Sequence, residues 1–489
     1  MYSTACPSCG APVSFKSAAS VMAVCEYCRA TLVREADAVR DIGKMSAVLE
    51  DYSPIRITTQ GVFEGRSFAV VGRIQLRYEA GYWNEWYVLF DDGQGGWLSD
   101  ASGQYTLTVD IGPASDAPVF EVLKPGQPYL HDGEVFTAAD IRSAQCTGGE
   151  GELPFRVGEG WEARVADFRQ RRRFLTLDYS DGLTPLRYLG TAVDLDSLKC
   201  QLLRSDEEIV HRAGRLRGRI ASLECPGCGG PLAYPAGVAT QLVCPACGTR
   251  SDLTGDQAVV LGKQRELKSH TVSLELGAQA RIGGQSYTLI GMMRCQEAGE
   301  TGFWTEYLLY SPRKGFLWLV ESEDGWERVQ VLDDWPVPAP SSNSAVRLGG
   351  QNFQKKVSYR SVVRYAAGAF NWQVKAGDTV GITDWQAGRD KLTQEFSDAE
   401  LVWSRAVPVS QGEIDGWFGR TSKSATGAAK AGPKGESGGG LGVMAKYFSG
   451  AYLFFNLPIT LFADGSWILT LIGLALLWWP VISNASGND

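Results

Sequence analysis

The 489-residue sequence predicts a mainly β protein built from two tandem units, each a cysteine-rich ribbon followed by a small antiparallel β sandwich or barrel. Three observations predict this architecture: a four-cysteine pattern that occurs twice, short apolar runs bounded by turn residues, and an uncharged stretch near the C-terminus. The first unit is predicted as a ribbon over residues 1–35 and a β domain over 36–215, and the second as a ribbon over 220–255 and a β domain over 256–418. A flexible linker over 419–445, an interfacial apolar segment over 446–466 and a transmembrane helix over 467–483 are predicted to follow.

Each ribbon is predicted from four cysteines with the spacing C-x2-C-x15-C-x2-C, which is typical of a tetrahedral four-thiolate zinc site. We therefore predict two bound zinc ions, whose role is structural because four thiolates leave no open coordination position. Disulfides are the alternative, but we expect reduced thiols because no secretory signal fits before the first cysteine. The predicted ligands are Cys6, Cys9, Cys25 and Cys28 in the first ribbon, and Cys225, Cys228, Cys244 and Cys247 in the second.

A glycine follows the second cysteine of three of the four pairs. These residues are Gly10, Gly229 and Gly248. The chain often takes a positive φ at that point of a metal-binding turn, which glycine adopts without strain. The pair Cys25 and Cys28 lacks this glycine.

The composition limits the classes of function. Hydrophobic residues make up 44% of the chain and charged residues 21%, as in globular proteins with ample core. The formal net charge of −8 argues against a protein that neutralises nucleic-acid phosphates. Nucleic-acid binding by the ribbons stays open as an alternative, although the first ribbon offers three basic residues and the second only Arg250.

The body of the chain is an internal repeat that extends past the cysteines. Cys225 lies 219 residues after Cys6. Further on, Trp83-Asn84-Glu85-Trp86 matches Trp304-Thr305-Glu306-Tyr307, and Asp167-Phe168 matches Asp384-Trp385. Each unit is therefore a ribbon with its own larger domain.

The larger domains are predicted to be β because their apolar runs are short, rich in β-branched and aromatic residues, and bounded by Gly, Asp and Ser. Phe68–Ile74 and Tyr287–Met293 are two such predicted strands. Ala36–Leu49, with its partner from Asp256 onward, is the one segment whose pattern favours a short helix.

Both repeats contain the same features in the same order: a ribbon, a Gly-Lys pair, a strand that ends in glycine, Trp-x-Glu-Trp/Tyr and Trp-Leu. This order resembles the bacterial family catalogued as domain of unknown function 4178, over roughly residues 1–410 and once per repeat. The resemblance implies doubled domains and, in many members, membrane segments. It implies architecture rather than a reaction.

Trp83 with Glu85, and Trp304 with Glu306, are the most distinctive polar–aromatic pairs. Residues two apart on a strand share a face, so each carboxylate lies beside an indole. One interpretation is a ligand pocket with an aromatic wall and an anionic anchor, which suits a cationic amine such as a polyamine. The other is a structural carboxylate beside a core tryptophan. Asp167 and Asp384 are expected at turns or strand ends, and no catalytic residue is predicted.

The C-terminal tail predicts a membrane anchor. Residues 421–440 consist mostly of Gly, Ala, Ser, Thr and Lys, which is typical of a flexible linker. Trp467–Ile482 then runs for sixteen residues without a charge and contains Trp478-Trp479. A helix of that length spans about 24 Å, and paired tryptophans suit a membrane interface. Alternatives are a re-entrant hairpin with the preceding apolar segment, or a helix buried against a β domain.

Charge predicts the orientation of this anchor. Four lysines precede it between residues 423 and 446, and only Asp489 follows it. The positive-inside rule therefore places the ribbons and β domains on the cytoplasmic face of a bacterial inner membrane, with a single span. The predicted function is a non-enzymatic, membrane-tethered adaptor that recognises a protein or a small ligand. A ligand sensor or enzyme acting on a cationic amine is a further alternative.

Overall fold

The computed structural model shows antiparallel β-structure through most of the first 420 residues. The predicted linker beyond residue 420, the interfacial segment and the transmembrane helix lie outside the residues that the structure describes. Within those residues, no helix is long and apolar enough to cross a membrane. The described residues are 2–15, 22–28, 30–35, 38–44, 53–78, 81–101, 104–155, 161–182, 184–205, 208, 220–235, 241–252, 259–263, 272–311, 314–339 and 342–420.

The first repeat consists of strands and one short 3-10 helix, over 120–122, in its described part. Its strands are β1 Tyr2–Ala5, β2 Pro12–Phe15, β3 Met22–Val24, β4 Ala30–Glu35, β5 Ala38–Lys44, β6 Gln60–Phe63, β7 Arg66–Tyr78, β8 Gly81–Phe90, β9 Gly95–Ala101, β10 Gln104–Pro113, β11 Pro128–His131, β12 Glu134–Leu153, β13 Glu162–Gln170, β14 Arg173–Asp178 and β15 Leu186–Val193.

The second repeat follows the same plan and ends in a helix, α1, over Gln411–Trp417. Ser410 caps this helix through a reciprocal bond with Glu413. The strands are β16 Ile220–Glu224, β17 Pro231–Pro235, β18 Gln241–Val243, β19 Thr249–Asp252, β20 Val259–Lys263, β21 Gln279–Ile282, β22 Gln285–Glu297, β23 Phe303–Ser311, β24 Gly315–Ser322, β25 Gly325–Val331, β26 Val337–Ala339, β27 Ser342–Leu348, β28 Gln351–Phe370, β29 Thr379–Ala387, β30 Asp390–Phe396 and β31 Leu401–Val409.

Eight strands of each repeat close into an antiparallel barrel. In the first, the order is β7-β8-β9-β10-β15-β14-β13-β12, and β12 pairs with β7 to complete the circle. In the second, the order is β22-β23-β24-β25-β31-β30-β29-β28, and β28 pairs with β22. Closure removes the edges that an open sheet would expose. The predicted sandwich or barrel is therefore a barrel in both repeats.

A glycine pair lets the last strand of each barrel close on the first. Gly72 on β7 lies opposite Gly151 on β12, which has a φ of +74°. A Cβ atom on Gly72 would come within 1.7 Å of the Glu152 carbonyl oxygen, so the backbones meet too closely for any side chain. Gly291 and Gly368 lie opposite one another in the second barrel and repeat this arrangement.

The ribbons are continuous with the barrels. Strand β3 pairs with the end of β12, and β18 pairs with the end of β28. Two further strands then extend each sheet, β4 and β5 in the first repeat and β19 and β20 in the second. The predicted short helix is wrong, because Ala38–Lys44 is β5 and Val259–Lys263 is β20. Pairing with the neighbouring ribbon strand satisfies the backbone groups that a helix would have satisfied internally.

The two repeats meet at two places, one where Arg171 of the first repeat accepts a backbone bond from Trp335 at 3.2 Å, and one where β12 of the first barrel contacts a turn of the second. The backbone N–H of Ile141 donates to the Ala399 carbonyl oxygen at 3.1 Å. Beside it, the Arg142 guanidinium bonds both Asp140 and, across the junction, Glu400. The junction therefore lies next to one wall of the first barrel.

Candidate metal centres and barrel interiors

Four thiol sulfurs converge in each ribbon, as the spacing predicts. Within each group all four sulfurs lie within 4.8 Å of one another. The closest sulfurs come from the two opposite turns of the ribbon. These Sγ–Sγ distances are 3.7 Å for Cys6–Cys28, 3.7 Å for Cys9–Cys25, 3.6 Å for Cys225–Cys247 and 3.8 Å for Cys228–Cys244.

These distances fit a tetrahedral metal centre. Zinc–sulfur bonds of about 2.3 Å place the sulfurs of a tetrahedron about 3.75 Å apart. A disulfide would need about 2.05 Å, so the sulfurs are not paired covalently. The two groups can each hold one metal ion, and their geometry is compatible with zinc. Four thiolates would complete its coordination, so the ion would supply cross-linking rather than a reactive site.

The turns around the cysteines are built for this purpose. Gly10, Gly229 and Gly248 have φ values of +77°, +71° and +68°, as predicted for metal-binding turns. In the second ribbon, the Thr249 hydroxyl lies 3.1 Å from Cys247 Sγ. Burial raises the pKa of Cys247, but hydrogen bonds from Thr249, together with those of Cys225 and Cys228, outweigh it and lower the pKa to about 6. The thiolate, which is the metal-binding form, is therefore favoured there.

The interior of the first barrel contains a cavity of about 80 Å³. Side chains from its strands alternate between this interior and outer clusters that the loops cover. The cavity wall combines aromatic rings with carboxyl groups. The rings belong to Trp83, Trp97, Phe155, Trp161 and Tyr188, and the carboxyl groups belong to Glu85, Asp167 and Asp178.

Glu85 is held in this wall by two donors. The Trp83 indole Nε1–H donates to Glu85 Oε1 at 2.7 Å, and the Ser99 hydroxyl donates to Oε2 at 2.6 Å. Burial nevertheless raises the pKa of Glu85 to about 7, with smaller contributions from the charges of Asp167 and Asp178. The pairing of Trp83 with Glu85, expected from their alternation on one strand, is a direct hydrogen bond.

Asp167 and Asp178 complete the acidic wall. The Thr176 hydroxyl donates to Asp167 Oδ1 at 2.6 Å. Burial raises the pKa of Asp167 to about 6, and burial also raises the pKa of Asp178. The expectation that Asp167 and Asp384 lie at turns or strand ends is wrong. Both lie within strands, β13 and β29, where the barrel turns alternate residues inward.

The second barrel carries the same arrangement. Trp304 Nε1–H donates to Glu306 Oε1 at 2.7 Å, and the Thr393 hydroxyl donates to Asp384 Oδ1 at 2.8 Å. Glu395 takes the place of Asp178. Burial, together with the charges of Glu306, Glu400 and Asp384, raises the pKa of Glu395 to about 8.

The cavity of the second barrel lies at a different place from the first, because Asp384 lines it and Trp304 and Glu306 do not, and its balance of charge also differs. It measures about 380 Å³, and three cationic side chains stand among its three carboxylates. Lys391 Nζ donates to Glu327 Oε2 at 2.5 Å. The corresponding residues of the first barrel, Phe174 and Thr106, are uncharged and do not line the first cavity, whereas Arg169 stands where the second barrel has Gln386. The lining charges of the second cavity are Lys356, Arg389, Lys391, Asp324, Glu327 and Asp384.

Two stretches of the chain, residues 58–195 and 275–411, match the family described as Domain of unknown function (DUF4178). The chain belongs to this family. Each DUF4178 match covers one barrel, and a cysteine quartet precedes each match, so the expected tandem copies are confirmed. Comparison with curated proteins finds no match.

Both DUF4178 barrels contain carboxyl groups that the sequence reasoning missed. Asp178 and Glu395 were not predicted as site residues, although each is two residues after the threonine that bonds Asp167 or Asp384. The internal repeat held the signal, since Thr-x-Asp at residue 176 aligns with Thr-x-Glu at residue 393. The repeat offset of 217 residues applies to both the threonine and the carboxylate.

Proposed function

We propose that the protein is a non-enzymatic adaptor, tethered to a membrane, whose barrels recognise a small cationic ligand. The observation that carries this proposal is the repeated wall of carboxyl groups and indoles inside both barrels. Glu85 and Glu306 each accept a 2.7 Å bond from the indole two residues before them. Each barrel then adds an aspartate held by a threonine and a further acid on the next strand.

Burial of these acids is costly unless a cation accompanies them. An isolated carboxylate in a poorly solvated site shifts its pKa upward, as Glu85, Asp167 and Glu395 do. An ammonium group placed among them would reverse that shift, and the indole faces would add a cation–π attraction of about 0.5–2 kcal/mol. A cavity with this wall therefore favours an organic cation over a neutral or anionic ligand.

Zinc in this proposal is structural. The four thiolates of each ribbon would hold one ion, and the ribbon strands β3 and β18 pair with the barrel strands β12 and β28. In the second repeat, Cys225 and Cys244 also pack in one cluster with Phe370 and Met293 of the barrel. The ion would therefore stabilise the end of the barrel as well as the ribbon.

The tether rests on residues 467–483 and on the lysines that precede them. Together they favour an anchor that leaves the barrels on the cytoplasmic face. Two linked barrels at one membrane surface can raise the avidity for a partner without any change in either contact. Cell fractionation tests the tether: the full chain is expected with the membranes, and a chain that ends at Arg420 is expected in the supernatant. Equal distribution of the two would contradict it.

Thermal unfolding tests the ligand class. The zinc-loaded full-length chain is screened against n-butylamine, 1,4-diaminobutane, 1-butanol and ATP at constant ionic strength. The amines are expected to raise the unfolding midpoint, and 1-butanol and ATP are not. The double variant Glu85→Gln with Glu306→Gln is expected to lose the response. If no amine exceeds 1-butanol, the proposal that the barrels bind cations is wrong.

A further inference from the structure

We infer that the first barrel is the ligand-binding one and takes a small aliphatic amine, whereas Lys391 already supplies the ammonium group of the second. This inference rests on the proposed function and assigns it to one site. It depends on four properties of the first cavity, which are its size, its charge, the spacing of its carboxyl groups and a buried indole N–H without an acceptor, and on the position of Lys391 in the second barrel.

The first cavity has the size of a small amine. Its volume of about 80 Å³ leaves room for about six waters at about 13 Å³ each. An aliphatic amine of about four to six heavy atoms occupies a comparable space. The rings of Trp83, Trp97 and Trp161 line it and offer π faces for an ammonium group and apolar contact for a short carbon chain.

Among the described residues, no cationic side chain lines the first cavity to balance its carboxyl groups. Among the described lining residues there are three carboxyl groups and no lysine, arginine or histidine. The guanidinium groups of Arg142 and Arg169 lower the pKa of Asp167 from outside this lining. Arg142 is bonded to Asp140 and Glu400, and Arg169 lies over the Phe174 ring at 4.6 Å. Neither lines the cavity, so the lining itself offers no cation to the three carboxyl groups.

A metal ion does not fit the carboxyl groups. In the described parts of the chain, the groups of three or more metal-ligating side chains whose atoms lie within 4.8 Å are the two cysteine quartets. Glu85, Asp167 and Asp178 do not form such a group. Carboxyl groups spread around a cavity instead suit an extended cation, with its charge at one end or at both.

An unmade hydrogen bond also points to a ligand. The indole Nε1 of Trp161 is buried and has no partner within the described residues, although the ring lines the cavity. A buried N–H without an acceptor costs about 1–3 kcal/mol. A hydroxyl on the ligand, or a water bound with it, would accept this bond. An amino alcohol is therefore a suitable probe beside the simple amines.

In the second barrel, the side chain of Lys391 places a cation beside the carboxyl groups. Lys391 projects a primary ammonium group to Glu327 at 2.5 Å, in a cavity that Asp384 also lines. The Lys391 charge also opposes the effect of burial on the pKa of Glu306. Phe174 stands at the equivalent position of the first barrel, where the Arg169 guanidinium lies over its ring at 4.6 Å and outside the cavity lining. Lys391 therefore offers Glu306 a cationic partner that the lining of the first cavity does not offer Glu85.

Calorimetric titration of the zinc-loaded full-length chain tests this assignment. The probes are n-butylamine, 1,4-diaminobutane and 4-amino-1-butanol, with calcium chloride as the metal control. We expect one amine site per chain and no calcium site. Glu85→Gln is expected to weaken amine binding at least tenfold, whereas the matched variant Glu306→Gln changes it less than twofold. Lys391→Met is expected to open a second site. Zinc content and thermal unfolding show that each variant is folded.

The outcomes separate the two proposals. Two amine sites in the unaltered chain, or a larger loss with Glu306→Gln than with Glu85→Gln, would overturn the assignment and leave cation recognition standing. A single site that persists in Lys391→Met would refute the role of Lys391. Binding of calcium in preference to the amines would overturn the ligand class. Absence of any amine binding would overturn the proposed function itself.

Discussion

Replacing Glu85 by glutamine tests whether burial in the first barrel keeps the Glu85 carboxyl group protonated above its usual pKa. Burial raises its pKa from 4.5 to about 7, although the bonds from Ser99 and Trp83 oppose the rise. The folded protein then keeps a proton that the unfolded chain releases as the pH passes 4.5. The contribution of Glu85 to the free energy of unfolding is therefore present at low pH and is lost as the pH rises to about 7.

The size of the expected stability difference follows from the rise in the pKa of Glu85. The rise of the Glu85 pKa from 4.5 to about 7, at about 1.4 kcal/mol for a tenfold change in acidity, sets an upper limit of about 3–4 kcal/mol. Asp167 and Asp178 share the same cavity, and their protons respond to Glu85, so we expect about 1–3 kcal/mol. Glutamine keeps the shape of the side chain and the oxygen that accepts from Trp83. The stability of Glu85→Gln relative to the unaltered protein should therefore increase from pH 5 to pH 8.

Urea unfolding at pH 5, 6, 7 and 8, followed by tryptophan fluorescence with zinc present, measures this difference. Comparing the two proteins at each pH cancels the titration of the shared groups that do not interact with Glu85. Glu306→Gln is the matched control, and a smaller gain is expected because the Lys391 charge opposes the shift of Glu306. A stability difference that does not change between pH 5 and pH 8 would refute the raised pKa of Glu85. A loss of stability at pH 8 would show that the barrel favours the carboxylate.

Three further predictions address the metal, the barrel closure and the ligand. Removal of zinc with a chelator should lower the thermal midpoint, and Cys225→Ser should reduce the zinc content from two equivalents to one, measured by atomic absorption; an unchanged content would contradict the four-thiolate site. Gly72→Ala should lower the free energy of unfolding by about 3 kcal/mol or more, because the new Cβ would meet a backbone oxygen at 1.7 Å. Gly65→Ala, at a φ of +81° with open space around it, should lower it by about 1–2 kcal/mol. Equal losses for the two variants in urea unfolding would contradict the role of Gly72 in barrel closure. Amine affinity should rise about tenfold between pH 6 and pH 8, since Glu85, with a pKa of about 7, and Asp167, with a pKa of about 6, ionise while the amine stays protonated; a flat calorimetric profile would exclude their role.

Local spacing explains what the sequence alone revealed. Two cysteines three residues apart form one turn, so the eight thiol ligands and the positive φ of Gly10 follow from short-range geometry. Alternation on a strand likewise placed Trp83 beside Glu85, because residues two apart share a face whatever the strand contacts. The mainly β class and the doubled unit are visible for the same reason. The segment at residues 36–49 was misread because its partner, β4, decides its structure, and pairing between strands is not a local property.

Only the tertiary structure decided that each β domain closes into a barrel and that its acids share one interior. Glu85, Asp167 and Asp178 come from strands β8, β13 and β14, and no pattern along the chain states that these strands face the same space. Closure depends on Gly72 meeting Gly151, which lies 79 residues further along the chain. The pKa values follow from that closure, since burial is set by every strand that surrounds a side chain. Lys391 and Asp384 likewise line one cavity although they lie on different strands, and this too depends on the tertiary structure.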